Sequence, residues 1–535
     1  MQLISASDAA TLVGNGDAVL ISGSGGGHSV PECLLAALGE RFRQEGQPRD
    51  LTAISVVGVG DRISLGADHL GQEGLTRRSI TSALIDSPSL MKMAAHDKIE
   101  AYTFPQGVLS QLMRDMAAGR PGLITKTGLH TFVDPRQQGA RQSPCTPPAF
   151  VDVLEIGGEE WLHFKPIPLD VAFLRGTTAD EDGNVTMEEE AVFGEMMAMA
   201  QATRHAGGIV IVQVKRLAKR GTLPAKQVKI PGILVDFVVV DPNQRQTYQT
   251  HYDPSYSGEL KVPLSQIKSV PFGPRKVIVR RAAQELFPGA ICNLGAGIST
   301  GLSTVAAEEG VLDQVVLTNE QGLIGGAPIT GRDSGGAQNF AAMIDQPYQF
   351  DFYDGGGLDL AFLSFAEVDP QGNVNVSRFG SKIVGVGGFM NISQNAKYVI
   401  FSGTLTAGDL DVQWDQGRIR IAQEGKHRKF VPRVEQICYN AQLARQRGHK
   451  VLYITERAVF VSGEGGLTLV EIAPGVDVQR DVVDQMGFTP VISPQLREMD
   501  ARIFSPALMG LGADLARQPL RHRNAKLAQW MAARA

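Results

Sequence analysis

The apolar residues of this chain are concentrated in short continuous runs rather than alternating with polar ones. Examples are D-L-T-A-I-S-V-V-G-V-G at 50–60, G-G-I-V-I-V-Q-V at 207–214 and D-Q-V-V-L-T at 313–318. Strands of this kind are typical of parallel sheets whose two faces are covered by helices. Segments 31–42 and 431–448 have the spacing of helices. The pattern therefore predicts an α/β fold with open, mainly parallel sheets.

The chain contains an internal repeat. Segments 169–185 and 358–374 match at a constant offset of 189 residues, with nine of 17 positions identical; chance would give about one, on average residue frequencies. Each copy predicts a buried strand, a polar segment and a D-x-x-G-N turn. Asp and Asn suit such a turn because their side chains bond to the local backbone, and Gly allows a positive φ.

A second match predicts two related domains. Segments 16–29 and 289–300 each run from an apolar strand into a Gly-rich turn. Gly23 precedes Gly183 by 160 residues, whereas Gly295 precedes Gly372 by only 77, so the first half carries an insertion of about 83 residues within about 60–150. Stretch 241–266 is polar and rich in turn residues. We predict an N-terminal domain at 1–250, a linker at 251–275 and a C-terminal domain at 276–535.

Composition narrows the class of protein. A length of 535 residues exceeds what one core usually supports. A net charge of −5 offers no support for a nucleic-acid or membrane surface. No apolar run reaches 18 residues and the N-terminus lacks a basic segment followed by an apolar one, so we expect a cytoplasmic protein with neither membrane nor nucleic acid as partner.

Cysteine and histidine give no sign of a metal site. Cys33, Cys145, Cys292 and Cys438 are far apart, and the ten histidines form no H-E-x-x-H motif. We expect reduced structural thiols and no bound metal.

Three Gly-rich segments are candidates for ligand contact. G-S-G-G-G-H at 23–28 and G-A-G-I-S-T at 295–300 begin like a dinucleotide fingerprint but lack its third glycine; the third segment is 383–393. A tight turn and an anion site built from backbone N–H groups are both open interpretations. No phosphate-binding G-x-x-x-x-G-K-[ST] motif occurs.

Glu320 stands out among the acidic residues. It lies in L-T-N-E-Q-G-L-I-G-G at 317–326, directly after a predicted strand. Open parallel sheets bind ligands beyond the carboxyl ends of their strands. An acidic residue beside glycines more often caps a turn than contacts a ligand. The surrounding segments must therefore decide which of these two roles Glu320 has.

Those surroundings resemble the family I CoA-transferases. The resemblance lies in Glu320, the turn at 295–299, and segments 128–136, 346–363, 373–380 and 385–393, and it runs nearly end to end. The chain is most similar to the fused, single-chain acetate/propionate type, including members that accept 3-oxoacids. The two halves then correspond to the α and β subunits of two-chain members, which implies an active site between them.

The resemblance implies roles for individual residues. Glu320, in N-E-Q-G-L-I-G-G, is the implied nucleophile; the family usually has Val-Glu-Ala-Gly here, a departure that bears on acyl preference. Gln106, in T-F-P-Q-G-V-L, and the backbone of Gly388 are the implied oxyanion donors. The implied CoA-contacting residues are Gly295, Ala296, Gly297, Ile298, Ser299 and Gly387.

The implied reaction is transfer of CoA from a short-chain acyl-CoA to a free carboxylate by a ping-pong mechanism. Glu320 would form a covalent glutamyl-CoA thioester, and as a carboxylate ionised at pH 7 it would need no histidine base. CoA is then a substrate rather than a bound cofactor, and the partners are acyl-CoA and short-chain carboxylates. The resemblance also implies a homodimer or homotetramer. The alternatives are an acyl-CoA hydrolase using the same glutamate and a CoA-binding protein without turnover.

Other charged residues are expected to be structural. We expect turn formation or support of the site from three aspartates, Asp351, Asp354 and Asp359. Asp359 recurs as Asp170 in the half without the nucleophile, which favours a structural role for it. We expect E-E-E at 188–190 to begin a solvated helix, and the basic tail at 517–535 to form a solvated amphipathic helix.

Overall fold

Two large β-sheets, one in each half of the chain, organise the fold. The structure is a computed structural model that describes residues 1–263, 270–415, 417–519, 521 and 524–534. The predictions for the linker at 251–275 and the tail at 517–535 fall partly outside the described residues. Within the described residues, the strands and helices have the following bounds.

The strands of the N-terminal half are β1 (Gln2–Leu3), β2 (Ala18–Ile21), β3 (Leu51–Ser55), β4 (Thr76–Thr81), β5 (Glu100–Thr103), β6 (Leu123–Thr125), β7 (Val151–Ile156), β8 (Glu159–Phe164), β9 (Val171–Arg175), β10 (Thr178–Asp180), β11 (Val185–Thr186), β12 (Ile209–Val214), β13 (Arg216–Ala218), β14 (Val228–Ile230) and β15 (Phe237–Val240). The strands of the C-terminal half are β16 (Ile291–Leu294), β17 (Val316–Asn319), β18 (Leu323–Ile324), β19 (Ala327–Pro328), β20 (Ala337–Gln338), β21 (Ala342–Met343), β22 (Leu360–Ser364), β23 (Glu367–Val368), β24 (Val374–Asn375), β25 (Arg378–Phe379), β26 (Lys382–Ile383), β27 (Tyr398–Ser402), β28 (Thr406–Ala407), β29 (Asp411–Asp415), β30 (Arg418–Gln423), β31 (His427–Arg428), β32 (Lys450–Ile454), β33 (Ala458–Gly463), β34 (Gly466–Ile472) and β35 (Val491–Glu498). The helices are α1 (Ala6–Thr11), α2 (Glu32–Glu45), α3 (Pro88–Ala95), α4 (Gln106–Ala117), α5 (Met196–His205), α6 (Pro274–Ala283), α7 (Gly301–Glu308), α8 (Gln346–Asp354), α9 (Phe389–Asn395), α10 (Ala441–Gln446), α11 (Leu511–Ala516) and α12 (Ala525–Ala532).

Each of the two sheets contains a parallel core of five strands, and the strand order of the two cores is the same. The N-terminal sheet has the order β1-β15-β12-β9-β2-β3-β4-β5, with every neighbouring pair parallel. The C-terminal sheet has the order β21-β18-β17-β16-β22-β27-β32-β33-β34-β35, parallel from β17 to β32 and antiparallel at β18, β21 and β33. The order β15-β12-β9-β2-β3 is therefore repeated as β32-β27-β22-β16-β17. The predicted fold class, two mainly parallel α/β halves, is confirmed.

The repeated turn has the same hydrogen bonds in both halves. Asp180 accepts from the backbone N–H of Asn184 at 2.9 Å and from its side-chain amide at 3.0 Å. Asp369 accepts from the same two groups of Asn373 at 2.9 and 3.0 Å. The turn glycines that precede these asparagines have φ values of 85° and 86°. The repeat in the sequence thus reflects a repeat in local geometry.

Additional segments distinguish the halves. Within the insertion predicted at about 60–150, β4 and β5 extend the N-terminal sheet, and α4 follows β5. In the C-terminal half, β33, β34 and β35 widen the sheet on the opposite side of the parallel core. All strands of the eight-stranded sheet lie within 2–240 and all strands of the ten-stranded sheet within 291–498. The domain boundaries themselves remain predictions.

Two predictions about local structure are wrong. Segment 431–448 is helical only from Ala441 to Gln446, because Tyr439 forms a bridge with Val374 and Asn440 caps the helix by accepting from the Leu443 N–H at 2.9 Å. Residues 188–190 begin no helix. Glu190 is buried and paired with Arg175 at 3.1 Å, so this segment is held by ion pairs rather than solvated.

Candidate active site

Glu320 lies where β17, the outermost strand of the parallel core, ends. The chain reverses immediately into β18, and Asn319 stabilises the reversal by accepting from the Gln321 N–H at 3.0 Å. Gly322 has a φ of 97°, and a Cβ at this position would lie 2.1 Å from the carbonyl oxygen of Ile344. Only glycine fits there, so the tight turn projects the Glu320 side chain from the carboxyl edge of the sheet.

A cavity of about 820 Å³ lies beyond this edge and is lined by both halves of the chain. Six of the nine predicted site residues line it: Gln106, Gly295, Ala296, Glu320, Gly387 and Gly388. The other three, Gly297, Ile298 and Ser299, are not among its lining residues. Most of the predicted site is therefore brought together around one cavity.

The loop at 385–388, which belongs to the C-terminal half, forms hydrogen bonds with the N-terminal half. Gly385 pairs with Ala83 in an antiparallel bridge, and a Cβ on Gly385 would lie 2.4 Å from the Ala83 Cα. The N–H of Gly387 donates to the carbonyl of Ser82 at 2.9 Å, and its own carbonyl accepts from the Gln106 N–H at 2.9 Å. The loop thus fixes the start of α4 against the C-terminal half.

Two residues that line the cavity with Glu320 have a hydrogen-bond donor without a partner among the described residues. The side-chain Nε2 of Gln106 is buried without a partner. In the described part of the chain, the N–H of Gly388 also has no acceptor, whereas that of Gly387 is occupied. A Cβ on Gly388 would lie 3.3 Å from the Glu320 Cγ. Because buried donors are normally satisfied, this pair is a candidate for binding an anionic oxygen.

Burial of the Glu320 carboxyl group favours its neutral form. Removal of the carboxylate from water raises its pKa above the usual range of glutamate, and a contact with the Asn293 side chain opposes part of the rise. Asn293 in turn donates to the Tyr353 hydroxyl at 3.2 Å. A poorly solvated carboxylate in such a site is a stronger nucleophile than one in water.

The Gly-rich turn at 295–300 leads from β16 into α7. Gly297 has a φ of 101°, and Ser364 braces the turn by accepting from the Ile298 N–H at 3.1 Å and donating to the Ala296 carbonyl at 3.0 Å. Ser299 is buried. Gly295 and Ala296 face the cavity, whereas the three following residues shape the turn.

The other Gly-rich segment, 23–28, closes against the C-terminal half. Ser24, Gly25 and Gly26 line the cavity, and a Cβ on Gly26 would lie 2.9 Å from the carbonyl oxygen of Arg332. Gly25–Gly27 form a single 3-10 turn, and the next α-helix begins only at Glu32. This segment is therefore a close contact between halves rather than a helix-opening anion site.

Several cavity residues were missed by the sequence analysis. Arg62 donates to the buried Asp86 at 2.9 Å, and both line the cavity together with Tyr248 and Arg332. These residues come from loops far apart along the chain. A single arginine or tyrosine in a loop has no periodicity or motif that could have marked it.

Comparisons with known proteins agree with this architecture. The coenzyme A transferase family model matches residues 3–241. The acetate CoA-transferase YdiF of Escherichia coli K12 is 44% identical over 509 residues, covering 95% of this chain and 96% of its own. The caffeate CoA-transferase of Acetobacterium woodii is 42% identical over 518 residues, covering 95% and 98%. A crystal structure of the YdiF acyl-CoA transferase from E. coli O157:H7, described as a thioester complex with CoA, has a TM-score of 0.91 over 95% of this chain and 97% of its own at 44% identity.

The paired parallel sheets and the cavity between them define an enzyme that transfers coenzyme A. The chain belongs to the family I CoA-transferases and is of their single-chain, YdiF-like type. None of its described helices has the length and apolar character needed to cross a bilayer. Among the described residues, no three His, Cys, Asp or Glu side chains are grouped so as to hold a metal ion. The four cysteines are free thiols.

Proposed function

We propose that this CoA-transferase moves CoA from a short-chain acyl-CoA to a free carboxylate such as acetate or propionate, through a covalent thioester on Glu320. The observation that carries the proposal is that Glu320 lines the same cavity as Gln106 and Gly388, each of which has a donor without a partner among the described residues. The thioester complex described for the similar E. coli enzyme supports a covalent CoA intermediate.

The reaction would proceed in two symmetrical halves. The Glu320 carboxylate attacks the acyl-CoA carbonyl and expels CoA thiolate, which leaves an acyl-glutamyl anhydride. The thiolate then attacks the glutamyl carbonyl and releases the acyl group as a free carboxylate, leaving the glutamyl-CoA thioester. A second carboxylate reverses these steps and departs as the new acyl-CoA, so Glu320 ends as it began.

Each attack creates a tetrahedral intermediate with a negatively charged oxygen. The Gln106 amide and the Gly388 N–H would stabilise it, and each such donor contributes about 3 kcal/mol in comparable acyl-transfer sites. Neither donor has to give up another partner for this purpose. This explains why a buried amide is left unsatisfied, at a cost to stability.

Water must be excluded because the anhydride and the thioester both hydrolyse. The glycines at 385–388 and 23–26 allow the two halves to close tightly around the cavity. Binding of the remote nucleotide end of CoA can supply free energy that is used at the thioester. Relatives of nearly equal identity are named for acetate and for caffeate, so the acid preferred here depends on the particular cavity lining.

Trapping the intermediate tests this proposal. The protein is incubated with acetyl-CoA without an acceptor, treated with hydroxylamine or borohydride, and digested for mass spectrometry. The modification should be found at Glu320 and should be lost in Glu320→Gln, while the exposed Glu464→Gln serves as the matched control. Modification elsewhere, or CoA transfer by Glu320→Gln, would contradict the mechanism.

Dependence of the rate on the acceptor distinguishes a CoA-transferase from an acyl-CoA hydrolase. A transferase should exchange CoA rapidly when a carboxylate is added and release little thiol in water alone. Thiol release that is equally fast with and without acetate would instead show that water completes the reaction. The expected homodimer or homotetramer remains a prediction.

A further inference from the structure

The helix that carries Gln106 is capped by the opposite half of the molecule. Pro105 at the N-cap of α4 provides no side-chain hydrogen bond. Instead, the Gln106 N–H donates to the Gly387 carbonyl at 2.9 Å, and the Gly107 N–H donates to Oδ1 of Asn391 at 3.1 Å. The first N–H groups of a helix need such external partners. The start of α4 is therefore set by groups from the loop at 385–388 and from α9.

Asn391 lies in the first turn of α9 and contacts the first turn of α4. It is the third residue of α9, whose N-cap is Gly388, and it is fully buried. Its contact with α4 is tight, because a Cβ on Gly107 would lie 2.5 Å from the Asn391 Nδ2. One side chain therefore connects the beginnings of the two helices that carry the Gln106 amide and the Gly388 N–H.

Asp354 and the Gly107 N–H hold the Asn391 amide from its two ends. The Asn391 Nδ2 lies 3.1 and 3.0 Å from the two carboxylate oxygens of Asp354. The Gly107 N–H can only donate, so the amide oxygen faces Gly107 and the amide nitrogen faces Asp354, whose pKa burial raises to about 7. The same carboxylate accepts from Gln111 of α4 at 3.1 Å and from Asn395 of α9 at 3.0 Å. It thus connects the end of α8 to both of the other helices.

We propose that Asp354 and Asn391 are positioning residues that set the separation of the two oxyanion donors. Asp354 orients the Asn391 amide, and Asn391 holds the first turn of α4 against the first turn of α9. Neither side chain is among those lining the cavity, so each acts through Gln106 and Gly388. This inference rests on the proposed function, which assigns those two groups to the oxyanion hole.

An exchange of the two side chains tests the proposal. Asn391→Asp keeps an acceptor for the Gly107 N–H but replaces the amide that donates to Asp354 by a second carboxyl group, so kcat should fall at least about tenfold while KM for acyl-CoA changes little. In the double variant Asn391→Asp/Asp354→Asn, the amide donates to the carboxylate again, and most of the lost kcat should return. Asp351→Asn is the matched control, because Asp351 lies on the same helix and bonds to Gln111 and Arg114 but not to Asn391.

The readouts separate positioning from a purely structural role. Melting temperatures of all variants are measured with their kinetics. A wild-type kcat in Asn391→Asp, or a double variant no faster than Asn391→Asp, would overturn the positioning role. Labelling of Glu320 in the wild-type protein is followed in parallel. Its absence would overturn the proposed function together with this inference, whereas normal labelling with unchanged kcat in Asn391→Asp would overturn the inference alone.

Discussion

A Cβ on Gly388 would lie 3.3 Å from the Cγ of Glu320, so the backbone at the start of α9 passes directly alongside the proposed nucleophile. The φ of Gly388 is −77°, which any residue can adopt. Its lack of a side chain therefore serves the close approach to Glu320 and to Ile392, whose Cδ1 would be 3.2 Å away, rather than the backbone conformation.

Gly388→Ala should fold and lose activity. The added methyl group must displace Glu320 or the Gly388 N–H by a few tenths of an ångström, and small misplacements of reacting groups can reduce rates up to about 100-fold. We expect a clearly lower kcat with a melting temperature close to that of the wild type. Gly465→Ala is the control, since its Cβ would meet Val491 at an ordinary 3.6 Å. Equal kcat values in both variants would contradict the close contact.

Gln106→Ala should lower kcat about 100-fold, which corresponds to the loss of one oxyanion donor. KM should change little, because this donor is used mainly by the tetrahedral intermediate. Gln106→Glu, which replaces the amide by a carboxylate of similar shape, should be at least as slow. Steady-state kinetics check this, with the exposed Gln495→Ala as control. A rise in KM alone would instead indicate that Gln106 binds substrate.

The transfer rate should fall on the acid side at a higher pH than an ordinary glutamate would cause. Attack needs the ionised Glu320 carboxylate, and burial raises its pKa above 4.5. Protonation as the pH falls through this raised pKa removes the nucleophile, so kcat/KM decreases. A profile of kcat/KM against pH, measured with saturating acetate, checks this decrease on the acid side. A rate that stays constant down to the usual glutamate range would show that Glu320 is better solvated than its burial implies.

Much of the fold was predictable because its signals are local or repeated. The D-x-x-G-N turns recur with the same hydrogen bonds around Asp180 and Asp369. Asp170 and Asp359, expected to be structural, accept from the first N–H groups of β2 and β16 at 2.8 and 3.1 Å. The strands β33, β34 and β35 were not predicted, since the first half has no counterpart to which a repeat could point.

The site was predictable in part, for a physical reason. Glu320 follows an apolar strand and precedes glycines, which is a local pattern. Asp354 was expected to form a turn or to support the site, but its partner Asn391 was not predicted, because the contacts of the two residues join three helices that are distant in sequence. Gly297 and Ser299 belong to a recognisable turn, but whether they face the cavity depends on how Ser364 braces it.

Glu195 should make the stability of the protein depend on pH. This carboxyl group is buried between the halves, where it accepts from Ser110 at 2.9 Å and from Gln346, and burial raises its pKa to about 7. In the unfolded chain its pKa returns to about 4.5, so between these values the folded state binds a proton that the unfolded state lacks. The stabilisation is complete below about pH 4.5 and is lost as the pH rises through about 7. Glu195→Gln, which stays neutral, should therefore lose this dependence.

Urea unfolding at pH 5 and pH 8 measures the effect. The free energy of unfolding of the wild type, relative to that of Glu195→Gln, should be lower at pH 8 than at pH 5. The exposed Glu155→Gln should show no such difference, because its carboxylate is hydrated in both states. A wild-type advantage that grows with pH would mean that Glu195 is ionised in the folded protein. Ser110 and Gln346 would then be stabilising a buried charge at the junction of the two halves.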